Sequence, residues 1–181
     1  MARRIKRKGP APVHLWNPQY CGEIDMRIAR DGSWFHEGKP IRRIAMVQLF
    51  ASILRLDDDG EHYLVTPVEK VRIEVEDCPF VMDTMDISGA GKQQVIRLSN
   101  ALEESVEVDA EHPLSVTSNS DSGEPHPVVE VRSGLQGLLN RAVFYRLVEQ
   151  AEQRREGDTI ISGVWSKGQF FELGRVAAES S

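Results

Sequence analysis

The sequence predicts an α+β protein of two related lobes, each built from antiparallel strands with one main helix. Three observations predict it. Many short runs alternate apolar and polar residues, as in EIDMRIA, where Ile24, Met26 and Ile28 face one way and Glu23, Asp25 and Arg27 the other. Two longer runs, IRRIAMVQLFASILRL and GLQGLLNRAVFYRLVEQ, carry apolar residues at helical spacing. The order strands, helix, charged turn, two strands also recurs in both halves, with little residue identity.

Residues 1–19 form a basic arm and a lead-in containing Pro10, Pro12 and Pro18, which settles on the body through Trp16 and Tyr20. The N-terminal α+β lobe follows over 20–80. Asp31-Gly32 supplies a hairpin turn and SWFHEG the returning strand. Pro40 suits the first position of a helix, where its missing N–H costs nothing. That helix is expected to bury Ile44, Val47, Phe50, Ile53 and Leu54, and DDDGEH ends it before the strands YLVTPVE and KVRIEVED. The C-terminal β-rich lobe spans 81–175. Its strands FVMDTMDI, QQVIRLSN, SVEVDA, LSVTS and PVVEVR precede a helix expected over 134–153. The charged turn EQRREGD follows, then TIISGVWS and GQFFELG, and 176–181 is a frayed tail.

A chain of 181 residues suffices for one domain or two small lobes. Its net charge of −6 is uneven, because MARRIKRK holds five of the 22 basic residues. The remainder sets 17 basic against 28 acidic residues, a net −11 that would repel a phosphate backbone. Nucleic acid is therefore an unlikely partner for the body, and the arm reads as solvated. No apolar run approaches the ~18 residues of a membrane span, and no signal segment follows the basic start. The expectation is a cytoplasmic protein with no membrane partner. Cys21 and Cys78 lack CxxC spacing, and Cys78 reads as a small core residue.

The chemical motifs mostly dissolve on inspection. SGAGK lacks the upstream Gly and the following Ser or Thr of a phosphate loop, and a strand follows it, so it is a hairpin loop. DDDGEH fails the calcium-loop ligand pattern at its first and last positions, so it reads as a solvated turn. The five histidines lie far apart without metal-ligand spacing, so no metal site is expected. No nucleophile elbow and no diagnostic carboxylate pair occurs, which tilts the reading away from catalysis without excluding it. No cofactor is expected.

The segment around 134–153 is more informative. Ser133 and Gln136 have capping-box spacing. One face would carry Leu135, Leu138, Leu139, Ala142 and Val143 into the core. A second stripe holds Gly137, Asn140, Arg141, Phe144 and Val148, which suits either packing between lobes or an anionic ligand. Gly137 costs about 1 kcal/mol in a helix, so close approach of another group is expected there. Arg132 would lie near the helix N-terminus, where anions are favoured. In TPVEKVRI, Lys70 and Arg72 share one face and could form a small basic patch.

The chain resembles a bacterial family known as domain-of-unknown-function family 1285, from about Pro12 to Gly174. The resemblance rests on NPQYCGEIDMRIARDGSWFHEGKPI, YLVTPVEKVRIEVEDCPF, VEVRSGLQGLLNRAVFYRLVE and GVWSKGQFFELG. It implies a duplicated α+β core whose C-terminal lobe is pleckstrin-homology-like. It also implies a site between the halves for a nucleotide-like ligand, and a role in bacterial signal transduction. By chemistry, the ligand-binding candidates are Trp34, His36, Lys70, Arg132, Asn140, Arg141 and Tyr145: cations for phosphates, rings for a base, an amide for hydrogen bonds.

The leading expectation is a non-catalytic protein that binds a small anionic, nucleotide-like ligand and reports it to a protein partner. The alternatives are a hydrolase of a nucleotide or phosphoester, with His36 or a carboxylate as base, and an interaction adaptor with no small ligand.

Overall fold

A computed structural model describes residues 9–179. It is an α+β structure made mostly of small sheets, with two α-helices among the described residues. The basic arm expected at 1–8 lies outside the described residues. The chain divides into two compact units, Met1–Asp77 and Cys78–Ser181.

In the first unit, β1 (Tyr20–Ile28), β2 (Trp34–His36) and β3 (Lys39–Pro40) form an antiparallel meander. Helix α1 (Ile44–Ser52) follows, then β4 (Leu54–Leu56), β5 (His62–Val65) and β6 (Lys70–Val75). All six strands form one sheet, in the order β3-β2-β1-β6-β5-β4, joined by the parallel pairing of β1 with β6. The alternation read in β1 is the observed one: Met26 and Ile28 are buried while Glu23 and Asp25 are not.

The first helix is shorter than its periodicity suggests. Pro40 does not start it but pairs with Phe35 in β3, and Ile41 N–H donates to Trp34 O. At the other end Leu54 leaves the helix to pair with Leu64 across a hairpin, because the ladder satisfies backbone groups that a further helical turn would leave open. Val47 and Ala51 face the core, whereas Ile44 is half exposed at the helix start.

The second unit contains β7 (Phe80–Met82), β8 (Thr84–Ser88), β9 (Val95–Ser99) and β10 (Ser105–Glu107), then β11 (Leu114–Ser118), β12 (Pro125–Arg132) and β13 (Leu135–Leu139). After α2 (Arg141–Glu149) come β14 (Glu152–Glu156), β15 (Thr159–Ser166) and β16 (Gln169–Ala177). These strands make sheets ordered β10-β9-β8, β11-β12-β13-β7 and β14-β15-β16. SGAGK does lie in a hairpin loop, between β8 and β9. The β15–β16 turn locks onto that loop: Lys167 N–H donates to Gln94 O and Gly168 N–H to Lys92 O. Ser166, fully buried, accepts from Ile96 N–H and donates to Val108 O, so one hydroxyl ties β15 to β9 and to the residue after β10.

The helix expected over 134–153 is corrected on three counts. Ser133 and Gly134 both have positive φ (48° and 79°), the signature of a two-residue hairpin turn, so Ser133 is no helix cap. Residues 135–139 are a strand, with Leu135, Gly137 and Leu139 buried on one face and Gln136 exposed. Helix α2 starts only at Arg141, capped by Asn140, whose Oδ1 accepts from Val143 N–H at 2.9 Å. The run LQGLL satisfies both a period of two and one of 3.6, and the φ-positive turn decides for the strand. EQRRE is likewise β14 rather than a turn, because it pairs residue by residue with β15. Val176 and Ala177, expected in the tail, belong to β16. Gly137 does meet a close neighbour: a Cβ there would lie 2.8 Å from Met82 Cγ and Sδ.

Candidate functional site

In the second unit, α2 presents the clearest array of accessible chemistry. Asn140 sets the start of the helix by its cap, and its N–H donates to Met82 O, which fixes the helix to the end of β7. Val143, Phe144 and Leu147 fill the buried face. Phe144, expected on the second stripe, is therefore core. At i, i+4 and i+7 on the opposite side stand Arg141, Tyr145 and Val148. Tyr145 is 57% and Val148 46% exposed, and Arg141 makes no ion pair among the described residues. This stripe joins an unpaired cation in the first helical turn to a phenol and an apolar side chain.

Arg132 sits at the end of β12, 2.6 Å from Glu104 and with its guanidinium 5.0 Å from the centre of the Phe80 ring. Its charge is thus already balanced by a carboxylate. Cys78 Sγ, in a buried side chain, and a ring nitrogen of the half-buried His126 lie within 4.8 Å of each other. They could supply two ligands to a soft metal ion. Cys78 and His126 are far apart in the sequence, so no spacing motif announces the pair.

A cation–aromatic ladder crosses the β14–β16 sheet. Lys92 Nζ lies 5.0 Å from the Trp165 ring centre, Trp165 meets Phe170 edge-on at 5.2 Å, and Arg154 covers Phe170 at 4.3 Å. Trp165 Nε1–H donates to Glu152. Phe170 also lies against Gly163, where any Cβ would come within 2.6 Å of the ring. Both rings are half-buried against these neighbours, so the ladder reads as sheet packing.

In the first unit, Trp34 is buried and stacks on Phe50 at 6.3 Å, with no hydrogen-bond acceptor for its Nε1–H among the described residues. His36, two residues on, is exposed. Lys70 does not stand free: its Nζ is 2.9 Å from Asp57 Oδ2 and 4.5 Å from the Tyr63 ring centre. Arg72 pairs with Glu23, so the basic patch expected from Lys70 and Arg72 is neutralised by carboxylates.

The network around Asp57 is invisible in DDDGEH, which reads in the sequence as a solvated turn. Arg55 grips Asp57 through two nitrogens and also donates to Val13 O and Trp16 O, which holds the lead-in strap on the sheet. Burial would raise the Asp57 carboxyl, but the hydrogen bonds and charges of Arg55 and Lys70 outweigh it and hold it below the usual range. Tyr63 donates to Asp59, and that bond, with desolvation and the neighbouring carboxylates, pushes its phenol up to about 12. Tyr20 packs edge-on against Tyr63.

The seven candidates therefore separate. Trp34, Lys70, Arg132 and Asn140 are engaged in packing, ion pairs or a cap. His36 in the first unit, and Arg141 with Tyr145 in the second, present accessible side chains.

No helix among the described residues is long and apolar enough to cross a membrane. Residues 11–78 match the N-terminal domain and residues 79–173 the C-terminal domain of DUF1285, a family described only as of unknown function. A crystal structure of a DUF1285 family protein from Silicibacter pomeroyi DSS-3 is 48% identical, with a TM-score of 0.84, over 94% of this chain and 91% of that one. A second, from Shewanella baltica OS155, is 29% identical with a TM-score of 0.53, over 70% of this chain and 91% of that one. No curated protein matches the chain. Two family domains that meet between residues 78 and 79, and a relative sharing nearly half its residues across almost the whole length, place the chain in one family: it belongs to DUF1285.

Proposed function

We propose that this chain is a non-catalytic binding protein for a small anionic, nucleotide-like ligand, working in bacterial signal transduction. The observation that carries the reading is the α2 stripe. Arg141 offers an exposed guanidinium without a carboxylate partner among the described residues, in the helix turn where anions are favoured. Tyr145, one turn on, offers a ring for a base and a hydroxyl for a hydrogen bond. Holding a phosphate needs a cation that internal ion pairs do not already use, and Arg141 meets that condition where Arg132 and Lys70 are paired.

The two units also share an order of elements. In each, a three-strand meander (β1-β2-β3, β11-β12-β13) leads into a helix, and a second meander (β4-β5-β6, β14-β15-β16) follows it. That shared order supports descent of the two units by duplication. The seven strands β7 to β13, in sheets of four and three followed by α2, support a pleckstrin-homology-like second unit.

The test is calorimetric titration of the full chain with a panel of nucleotides and inorganic phosphate. Binding that drops at least tenfold in Arg141→Ala, and more for a nucleotide than for phosphate in Tyr145→Ala, is expected. A panel without any binder, or equal affinity in Arg141→Ala, would sink the proposal. The exposure of Tyr145 and Val148 beside an arginine also fits a protein-docking patch, since Tyr and Arg dominate such contacts. In that case both variants lose a partner while binding no nucleotide.

A further inference from the structure

We propose that the first unit docks on an anionic lipid surface through the outer face of α1. This helix, IAMVQLFAS, holds no charged residue, and it is apolar on both sides. Val47 and Ala51 point to the core. Leu49, on the opposite side, is 61% exposed, with Met46 at 42% beside it, and Ile44 at the helix start is 50% exposed. A helix apolar all round is ordinarily buried on every side, yet this one is covered on one. An apolar groove of 480 Å³ runs along it, between Ala45, Gln48, Leu49 and Ser52 and the strap residues Gly9 to Pro12.

Charge selects the occupant. Eight Lys and Arg occur between residues 9 and 77, and five of them, Arg27, Arg30, Arg55, Lys70 and Arg72, pair with carboxylates. The remaining three, Lys39, Arg42 and Arg43, are exposed, have no ion pair among the described residues, and lead directly into α1. Two of them stand where helix stability disfavours them. Arg43 is the N-cap and makes no capping hydrogen bond, and Arg42 precedes it; positive charge at a helix N-terminus opposes the dipole. Local stability does not explain these arginines, whereas an external anion does. The arm MARRIKRK adds five cations to the chain just before Gly9, a residue that lines the same groove.

An exposed apolar helix face flanked by lysine and arginine is the arrangement that seats a helix at the boundary of headgroups and acyl chains. Anionic headgroups would answer the cations, and Leu49 and Met46 would enter the acyl boundary. This surface belongs to the first unit and shares no residue with the α2 stripe. It also departs from the expectation of no membrane partner drawn from the lack of a spanning segment.

Co-sedimentation of the full chain with phosphatidylserine-containing vesicles, against pure phosphatidylcholine vesicles, tests it. Binding to the anionic vesicles only, weakening with added salt, is expected. Leu49→Asp should abolish it. Arg42→Gln with Arg43→Gln should weaken it by about fivefold per cation removed. That double variant should unfold at the same temperature as wild type or higher, since it removes a charge–dipole conflict. Three outcomes would overturn the proposal: no binding to anionic vesicles, undiminished binding in a folded Leu49→Asp, or a dimer in light scattering that Leu49→Asp dissociates. The last would mean that a second copy covers the face.

Discussion

Replacing Gly163 by alanine is a small chemical change at a place with no room for it. Gly163 is buried in β15, beside the register shift between Ser162 and Gly163. An added Cβ would lie 2.5 Å from Phe171 O and 2.5 Å from Phe170 Cζ. The carbonyl oxygen belongs to the neighbouring strand and cannot rotate away. The Phe170 ring can, but only by leaving its contacts with Trp165 and Arg154. Overpacking of this kind costs about 1–3 kcal/mol. Loss of the aromatic pair and the cation contact adds roughly 1–2 kcal/mol. The lower entropy of the unfolded alanine chain returns about 0.4–1 kcal/mol. A net loss of about 1–4.5 kcal/mol lowers Tm by roughly 2–18 °C for a chain of this size. Urea unfolding followed by tryptophan fluorescence measures it, with an unchanged m-value as the sign that stability alone has moved. Gly174→Ala is the matched control: Gly174 pairs with Ser162 on the same ladder, and a Cβ there would meet nothing within 4 Å. Its effect should stay within about 0.5 kcal/mol. If Gly163→Ala is as mild as Gly174→Ala, the close approach is not what holds glycine there.

Ser166→Ala removes the hydroxyl that serves Ile96 N–H and Val108 O inside the protein, and two buried groups left without partners should cost about 2–4 kcal/mol in the same unfolding experiment. An effect below about 1 kcal/mol would mean that neighbouring groups re-pair. Tyr63 is expected to titrate late, with a midpoint of about 12, because its hydroxyl donates a hydrogen bond to the Asp59 carboxylate, which disfavours the phenolate. Its folded pKa lies above the ordinary 10, so this contribution to stability is complete below pH 10 and is lost as pH rises through 12. Ultraviolet titration should therefore show a late phenolate phase that disappears in Tyr63→Phe; a phase that persists in that variant belongs to another tyrosine.

The strands were legible wherever one face was wet. EIDMRIA alternates because Met26 and Ile28 meet the core while their neighbours meet water, and the pattern records that asymmetry directly. LQGLL misled for the opposite reason. Its second face is only partly wet, since Leu138 there is half-buried, so Leu138 and Leu139 run together and imitate a helix. The decisive signal was local, Ser133-Gly134 as a φ-positive pair, and it resembles a cap-and-box start when read without backbone angles. Candidate site residues were harder. Arg141 and Tyr145 were visible as chemistry, but only burial separates them from Phe144, which faces the core. The charges of Lys70 and Arg132 could not be seen as spent, since Asp57 and Glu104 stand far from them along the chain. Sequence separation of that size carries no periodicity.

The guanidinium of Arg55 has a consequence for the order in which the chain can be built. The strap at Val13 to Trp16 is held by carbonyl contacts to a residue about 40 positions further on. Asp57, which orients that guanidinium, is itself shared with Lys70. Tyr20 likewise finds its parallel partner only at Lys70. On a translating ribosome at about 5–20 residues per second, the strap and β1 therefore wait roughly 3–10 s before their partners leave the exit tunnel. During that interval β1 can pair only with β2 on one edge, and its other edge has no strand to join. The first unit thus completes late and as a whole, and substitutions at Arg55 should show up as poor yield of folded protein during synthesis before they show up as weak binding of anything.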